Sequence, residues 1–118
     1  MPVYNRAVYL AEAVNSILNQ TYPFFELIVV DDGSTDNSLD IIKNFKDKRI
    51  KVLSLPHNKG IPFARNAGLA TITGDFYAVQ DSDDISMPNR FEQQIRLFNE
   101  NPQIAACGSQ AIFLIRMA

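Results

Sequence analysis

The chain has few of the residues on which redox, zinc-thiolate and nucleic-acid chemistry depend. Cys107 is the only cysteine among 118 residues, and tryptophan is absent. A single cysteine excludes an intrachain disulfide and a multi-thiolate zinc site, so we expect a buried strand cysteine in a reducing compartment. Lysine and arginine together number 11, against 13 acidic residues. A slight excess of acidic residues is not typical of nucleic-acid-binding proteins, which normally have a basic stripe. We therefore expect no nucleic-acid partner.

Long apolar runs and histidines are also scarce. No apolar run approaches the ~20 residues that cross a membrane, and no basic-then-apolar leader opens the sequence. We therefore expect a cytoplasmic location, with a peripheral association at the inner face of the membrane left open for the full-length protein. His57 is the only histidine, and it lies in a predicted loop, where exposure is expected.

Helical and strand patterns alternate along the chain. Apolar residues recur at helical spacing over residues 7–20, 39–45, 61–69 and 88–100, the last helix starting at Pro88. Short apolar or alternating runs predict strands at 25–30, 50–55, 76–79 and 104–107. This order predicts an α/β fold with a Rossmann-like, mostly parallel sheet and helices on both faces.

Acidic residues directly follow two of the predicted strands. The run 26–30 ends in Asp31 and Asp32, and the run 76–79 leads into the acidic segment 81–84. Ligands of open α/β sheets bind outside the carboxyl ends of the strands. Carboxylates gathered there need a cation or hydrogen-bond donors to offset their charge. The pattern therefore predicts a metal and nucleotide site.

The acids within these segments are predicted to have different roles. Asp31 and Asp32 are adjacent in a strand and point to opposite sides, so one can serve a ligand while the other supports the turn. Asp81 and Asp83 have the spacing at which two carboxylates converge on one hard cation, Mg²⁺ or Mn²⁺. Turn building or helix capping is the interpretation for residues 34–36 and for Asp84.

Six motifs occur together and in order along the chain. They are Pro2-x-Tyr4-Asn5, the run 30–36, Asn58-x-Gly60, Ala64-Arg65-Asn66-x-Gly68, Gly74-Asp75 and the run 81–84. Together they resemble the nucleotide-sugar-binding part of family 2 inverting glycosyltransferases, which have the GT-A fold. The resemblance covers residues 1–118 and implies one transferase domain, incomplete at its C-terminal side.

The resemblance also implies an activity and partners. It implies metal-dependent transfer of a sugar from a nucleoside-diphosphate sugar, with UDP expected, to an acceptor hydroxyl with inversion. The implied setting is polysaccharide or glycoconjugate synthesis, with a saccharide or lipid-linked acceptor. The catalytic general base and the acceptor site are expected beyond Ala118, so this chain is expected to carry donor binding only. Asp84 and Glu92 are the nearest spare acids, and nothing marks either as that base.

The resemblance assigns nucleotide-binding roles to Pro2, Tyr4, Asp31, Asp32, Arg65 and Asp81. Within this set, Asp32 is expected to accept the uracil ring N–H, with Asp31 as nearby support. Arg65 is expected near the base and the diphosphate, and Asp81 at the ribose. Asp83, with Asp81 beside it, is the expected ligand of Mn²⁺ or Mg²⁺. Gln80 stands where the family often has an apolar residue, and we expect little consequence.

Two other protein classes have the same α/β order. A sugar nucleotidyltransferase calls for a glycine-rich phosphate loop after the first strand, whereas residues 2–6 contain no glycine. A non-catalytic module such as a receiver-like signalling domain would explain the length and the acid-lined metal site. A receiver needs a lysine at a late strand end, and no lysine follows Lys59.

Overall fold

Three parallel strands and four helices make up the computed structural model, which describes residues 1–110. The strands are β1 (Pro2–Val3), β2 (Leu27–Asp31) and β3 (Ile50–Ser54), in the sheet order β1-β2-β3. The helices are α1 (Ala7–Leu18), α2 (Ser38–Asn44), α3 (Ile61–Leu69) and α4 (Arg90–Glu100). None of the helices in residues 1–110 combines the length and the apolar character needed to cross a membrane.

The central strand β2 is buried along its whole length, and its side chains divide the core into two layers. Val29 points to one face, where it packs with Leu10 of α1 and Ile42 of α2. Val30 points to the other face, where it packs with Ala64 of α3. Successive strand residues face opposite sides, so a continuous apolar run needs a cover on each. The predicted arrangement of helices on both faces is confirmed.

The register of the sheet places three strand ends at one edge. β2 pairs in parallel with β1, with Val3 opposite Asp31, and with β3, with Asp31 opposite Ser54. The turns that follow β1 and β2, and the loop that follows β3, therefore begin side by side. This edge is where the sequence places the first acidic segment.

Several local predictions are wrong in the described residues. Segments 76–79 and 104–107 form no strand. Hydrogen-bonded pairing defines a strand, and the two-residue β1 offers no long edge beside which segment 76–79 could pair. Helix α4 begins at Arg90 rather than at Pro88. Cys107 is free and partly exposed rather than buried in a strand. The apolar end at residues 111–117, expected to favour association, lies outside the described residues.

Candidate functional site

Hydrogen bonds join the turn after β1 to the turn after β2. The Asn5 amide donates to the Ser34 hydroxyl at 3.1 Å, and the Asn5 side-chain oxygen accepts from the Thr35 amide at 2.8 Å. Asp36 accepts from the Ala7 amide at the start of α1. Hydrogen bonding, above all from Ser38, lowers the pKa of Asp36. The turn-building interpretation of residues 34–36 is confirmed, although the N-cap position of α2 is Asn37.

Asp31 and Asp32 have different surroundings, as their adjacency predicts. One Asp31 oxygen accepts from the Ser34 amide at 3.4 Å, and the other is buried with no partner among the described residues. Asp32 is 2% exposed, and its two oxygens accept the backbone N–H groups of Lys59 and Gly60, each at 2.8 Å. Asp32 thus fixes the loop before α3. Each carboxylate oxygen retains a further lone pair for a ligand.

A pocket of about 620 Å³ opens beyond the carboxyl ends of the strands. It gathers six of the seven predicted site residues, which are Pro2, Tyr4, Asp32, Arg65, Asp81 and Asp83. Asp31 is the exception, since it does not line the pocket and its side chain accepts a hydrogen bond from the turn. Residues from four separate segments of the chain therefore meet in one cavity.

Two arginines form ion pairs with two of the three acids of the 81–84 segment. Arg65 lies 2.9 Å from Asp81, and the Arg6 Nε lies 3.2 Å from Asp83. All four side chains are between 38% and 48% exposed, so each ion pair contributes about 0–1 kcal/mol and breaks readily. Arg6 is a pocket residue that the sequence analysis missed. Its position directly after the Pro-x-Tyr-Asn turn is the signal that could have found it.

The carboxylate oxygens that line the pocket are suitable ligands for a hard divalent cation. Asp81 and Asp83 offer carboxylate oxygens two residues apart on one partly exposed wall. Mg²⁺ typically binds one or two carboxylates and completes its shell with water and substrate phosphates. Among residues 1–110 no group of three or more potential metal ligands occurs. The residues therefore fit a cation bound together with a phosphate ligand, rather than an all-protein cage.

Gln80 holds the acidic loop in place. Its side-chain N–H₂ group donates to the Asp84 carbonyl at 2.8 Å, and its side-chain oxygen accepts from Ser86 and Arg90. Gln80 is 7% exposed. Burial lowers the pKa of Arg90 from its ordinary value, and the charge of Asp84 partly offsets this shift. The expectation that Gln80 has little consequence is wrong, because three partners depend on it.

Replacing Gln80 with leucine should destabilise the protein by about 2 kcal/mol, measured by urea denaturation. Leucine has a similar size but leaves the Ser86 hydroxyl, the Arg90 guanidinium and the Asp84 carbonyl without their partner. The matched control is Gln103→Leu, at an exposed position outside the helices and strands. Equal stability of the two variants would contradict this role of Gln80.

The remaining candidate acids and the histidine lie outside the pocket. Asp84 and Glu92 do not line it, and Glu92 accepts a hydrogen bond from Thr21. His57 is exposed, as expected for a loop residue. The acids that line the pocket within residues 1–110 are Asp32, Asp81 and Asp83.

The sequence of the chain matches the profile of a known protein family. The profile described as Glycosyl transferase family 2 matches residues 1–114. The chain belongs to glycosyl transferase family 2. This membership confirms the resemblance drawn from the six motifs and excludes the receiver-like alternative.

Curated proteins named as glycosyltransferases are similar to this chain along most of its length. An uncharacterized glycosyltransferase of Haemophilus influenzae is 43% identical over 113 residues, covering 94% of this chain and 45% of that protein. The Escherichia coli enzyme WfgD is named a UDP-Glc:α-D-GlcNAc-diphosphoundecaprenol β-1,3-glucosyltransferase. It is 42% identical over 101 residues, covering 86% of this chain and 40% of that protein. The chain therefore spans less than half the length of these relatives.

A solved structure shares the fold of this chain. Staphylococcus aureus TarS 1–349, crystallised in complex with UDP, aligns with a TM-score of 0.81 at 35% identity. The alignment covers 86% of this chain and 31% of TarS 1–349. The parallel α/β arrangement described above is thus part of a GT-A domain, as the sequence analysis predicts.

Proposed function

We propose that this chain is the donor-binding part of an inverting glycosyltransferase that moves a sugar from a UDP-sugar to an acceptor hydroxyl. The observation that carries the proposal is the pocket at the strand ends, which gathers Arg65 and the acids Asp32, Asp81 and Asp83. Further support comes from TarS, crystallised with UDP, and from WfgD, whose name includes a UDP-sugar.

Each pocket residue has a role in the proposal that its chemistry allows. Asp32 is held rigidly by two backbone N–H groups, so its free lone pairs can accept the uracil ring N–H. Tyr4 is 41% exposed at the pocket wall and can cover the nucleoside. Arg65 can leave Asp81 for the diphosphate, which frees Asp81 to contact the ribose. Pro2 shapes the wall beside them.

Asp83, with Asp81 beside it, would hold Mn²⁺ or Mg²⁺ in this proposal. The cation would offset the charge on the departing nucleoside diphosphate as the glycosidic bond breaks. The Arg6 guanidinium, once released from Asp83, would be a second positively charged side chain, besides Arg65, that can contact the same phosphates. The two arginines, and the cation that the carboxylates would hold, would thus favour the negative charge that develops on the leaving group.

In our proposal, the residues that bind and deprotonate the acceptor lie outside this chain. Inversion needs a general base to deprotonate the acceptor hydroxyl, and we place that base and the acceptor site beyond Ala118. We propose a saccharide or lipid-linked saccharide as acceptor, as in the name of WfgD, with synthesis of polysaccharide or glycoconjugate as the setting. We propose the cytoplasm, at the inner face of the membrane, as the location.

Calorimetric titration with UDP, GDP and ADP, each with and without Mn²⁺, tests the donor site. We expect UDP to bind at least about 10-fold more tightly than GDP or ADP, and more tightly with Mn²⁺ than without it. Equal affinity for the three nucleotides would contradict a uridine site.

Replacing Asp83 with asparagine tests the cation role. We expect UDP affinity in the presence of Mn²⁺ to fall about 10-fold or more, with no fall in the Mn²⁺-free affinity, because the loss of the Asp83 charge also frees Arg6 for the diphosphate. Asp84→Asn is the matched control, because it removes the same charge from the same loop outside the pocket. An equal loss in both variants would show that only the loop's total charge matters.

A further inference from the structure

The last turn of α1 and the residues just after it contact the segment that follows the acidic loop. The Ser86 amide donates to the Ser16 hydroxyl at 3.0 Å. The Gln20 side-chain N–H₂ group donates to the Met87 carbonyl at 2.7 Å, and its side-chain oxygen accepts from the Phe91 amide at 3.0 Å. These bonds join residues that lie 67 to 71 positions apart in the chain. They therefore fix the end of the loop to a helix of the core.

The groups that make these bonds lie inside the protein. Gln20 is 6% exposed and Ser86 is 7% exposed. The Ser16 hydroxyl donates its proton to the Ala13 carbonyl at 2.7 Å, which leaves its oxygen lone pairs to accept the Ser86 amide. A buried polar group is costly unless it is hydrogen-bonded, so the folded chain retains these bonds. A substitution that deletes the Ser16 hydroxyl removes one of them selectively.

The other end of α1 also contacts the acidic loop. Arg6 occupies the N-cap position of α1, and its Nε lies 3.2 Å from Asp83. Asp83 lies three residues before Ser86, so α1 holds this part of the loop at two places. The contact with Arg6 is a partly exposed ion pair, which contributes little and breaks readily. The contacts with Ser16 and Gln20 are the ones that remain when Arg6 leaves Asp83 for the phosphates.

We propose that Ser16 and Gln20 are positioning residues for the cation site. By holding the loop at Ser86 and Met87, they keep the Asp83 carboxylate at the pocket wall after Arg6 has left it. Neither residue lines the pocket, so each acts only through the loop. This inference rests on the proposed function, to which the cation role of Asp83 belongs. Residues that orient a metal ligand without touching the metal typically change metal affinity by about 10–100-fold.

Replacing Ser16 with alanine tests this role, with Thr71→Ala as the matched control. The Thr71 hydroxyl also donates to a carbonyl three residues earlier, that of Gly68, but Thr71 follows α3 and does not line the pocket. UDP affinity is measured by calorimetry with and without Mn²⁺. The ratio of the two affinities isolates the contribution of the cation, because a loss of folded protein lowers both by the same factor.

We expect Ser16→Ala to lower this affinity ratio by about 10-fold and Thr71→Ala to leave it unchanged. Ser16→Thr keeps the hydroxyl and should restore the ratio. Hydrogen exchange of the ligand-free chain checks the contact itself. The Ser86 amide should exchange about 10-fold or more faster in Ser16→Ala than in Thr71→Ala, because it loses its acceptor.

Two results would overturn the inference. One is equal exchange of the Ser86 amide in the two alanine variants, which would mean that Ser16 does not hold the loop. The other is an unchanged affinity ratio in Ser16→Ala despite faster exchange, which would mean that the contact supports the fold alone. A failure of the proposed function gives a different result, since the unsubstituted chain would then bind UDP equally with and without Mn²⁺. That result would remove the cation role of Asp83, and this inference with it, before any variant is compared.

Discussion

Replacing Gly33 with alanine is expected to destabilise the protein by about 3 kcal/mol, measured by urea denaturation. Gly33 has a φ of +69°, a conformation that costs about 1–2 kcal/mol for a residue with a Cβ. A Cβ at this position would also lie 2.6 Å from the backbone Cα and C atoms of His57. Backbone atoms cannot rotate away as a side chain can, so this loop must shift, and overpacking of this kind costs about 1–3 kcal/mol.

Two further variants separate the causes of that loss. Gly33→Asn should recover about 1 kcal/mol of that loss, since asparagine tolerates a positive φ better than alanine, and should keep the part that the clash with His57 causes. Gly74→Ala is the matched control, because the nearest atom to its Cβ would be 3.7 Å away and its φ is not positive. If Gly33→Ala unfolds at the same urea concentration as Gly74→Ala, the close approach to His57 is not a constraint.

Removing the carboxylate of Asp32 should both lower the stability of the protein and abolish the preference of the proposed site for uridine. Asp32→Ala leaves the partly buried N–H groups of Lys59 and Gly60 without their charged acceptor, and we expect a loss of about 3 kcal/mol. Asp32→Asn keeps one acceptor oxygen, so we expect it to retain more stability than the alanine variant. Its added N–H₂ group should reverse the match to the uracil ring N–H. We therefore expect UDP to lose its advantage over CDP in calorimetric titration.

The adjacent Asp31 provides the control for Asp32. Asp31→Asn removes the same charge one residue away, on the side of the strand that supports the turn at Ser34. We expect it to change stability while leaving the ratio of UDP to CDP affinity intact. A lost preference in Asp31→Asn, with Asp32→Asn unaffected, would exchange the proposed roles of the two acids.

The parts of the fold that the sequence predicts well are those set by local periodicity. Helix α1 and strand β2 have regular apolar patterns, and both occur close to their predicted bounds. The strand predicted at 76–79 depends on a neighbouring strand, which a local pattern cannot reveal. Pro88 favours the first turn of a helix, yet α4 begins at Arg90 after a turn at 88–89.

In the candidate site, too, some residues can be predicted from local sequence, whereas others depend on contacts between distant parts of the chain. Strand ends and recognisable motifs predict seven site residues, of which six line one pocket, and the seventh, Asp31, supports the adjacent turn. The sequence analysis missed the contacts of Arg6 and Gln80, although the position of Arg6 directly after the Pro-x-Tyr-Asn turn marks the residue itself. The Arg6 contact to Asp83 spans 77 positions of the chain, and Gln80 acts through Ser86 and Arg90 rather than through a ligand. Pairings of this kind are decided by packing, so only the folded chain reveals them.

The ion pairs of Asp81 with Arg65 and of Asp83 with Arg6 give the proposed donor site a reciprocal behaviour. In the proposed site, a cation bound at Asp83 would free the Arg6 guanidinium for the phosphates, and a diphosphate bound by either arginine would free a carboxylate for the cation. We therefore expect cooperative binding, in which the cation raises nucleotide affinity by the same factor as the nucleotide raises cation affinity. The loop would then stay neutralised by its own arginines until the donor and its cation arrive together.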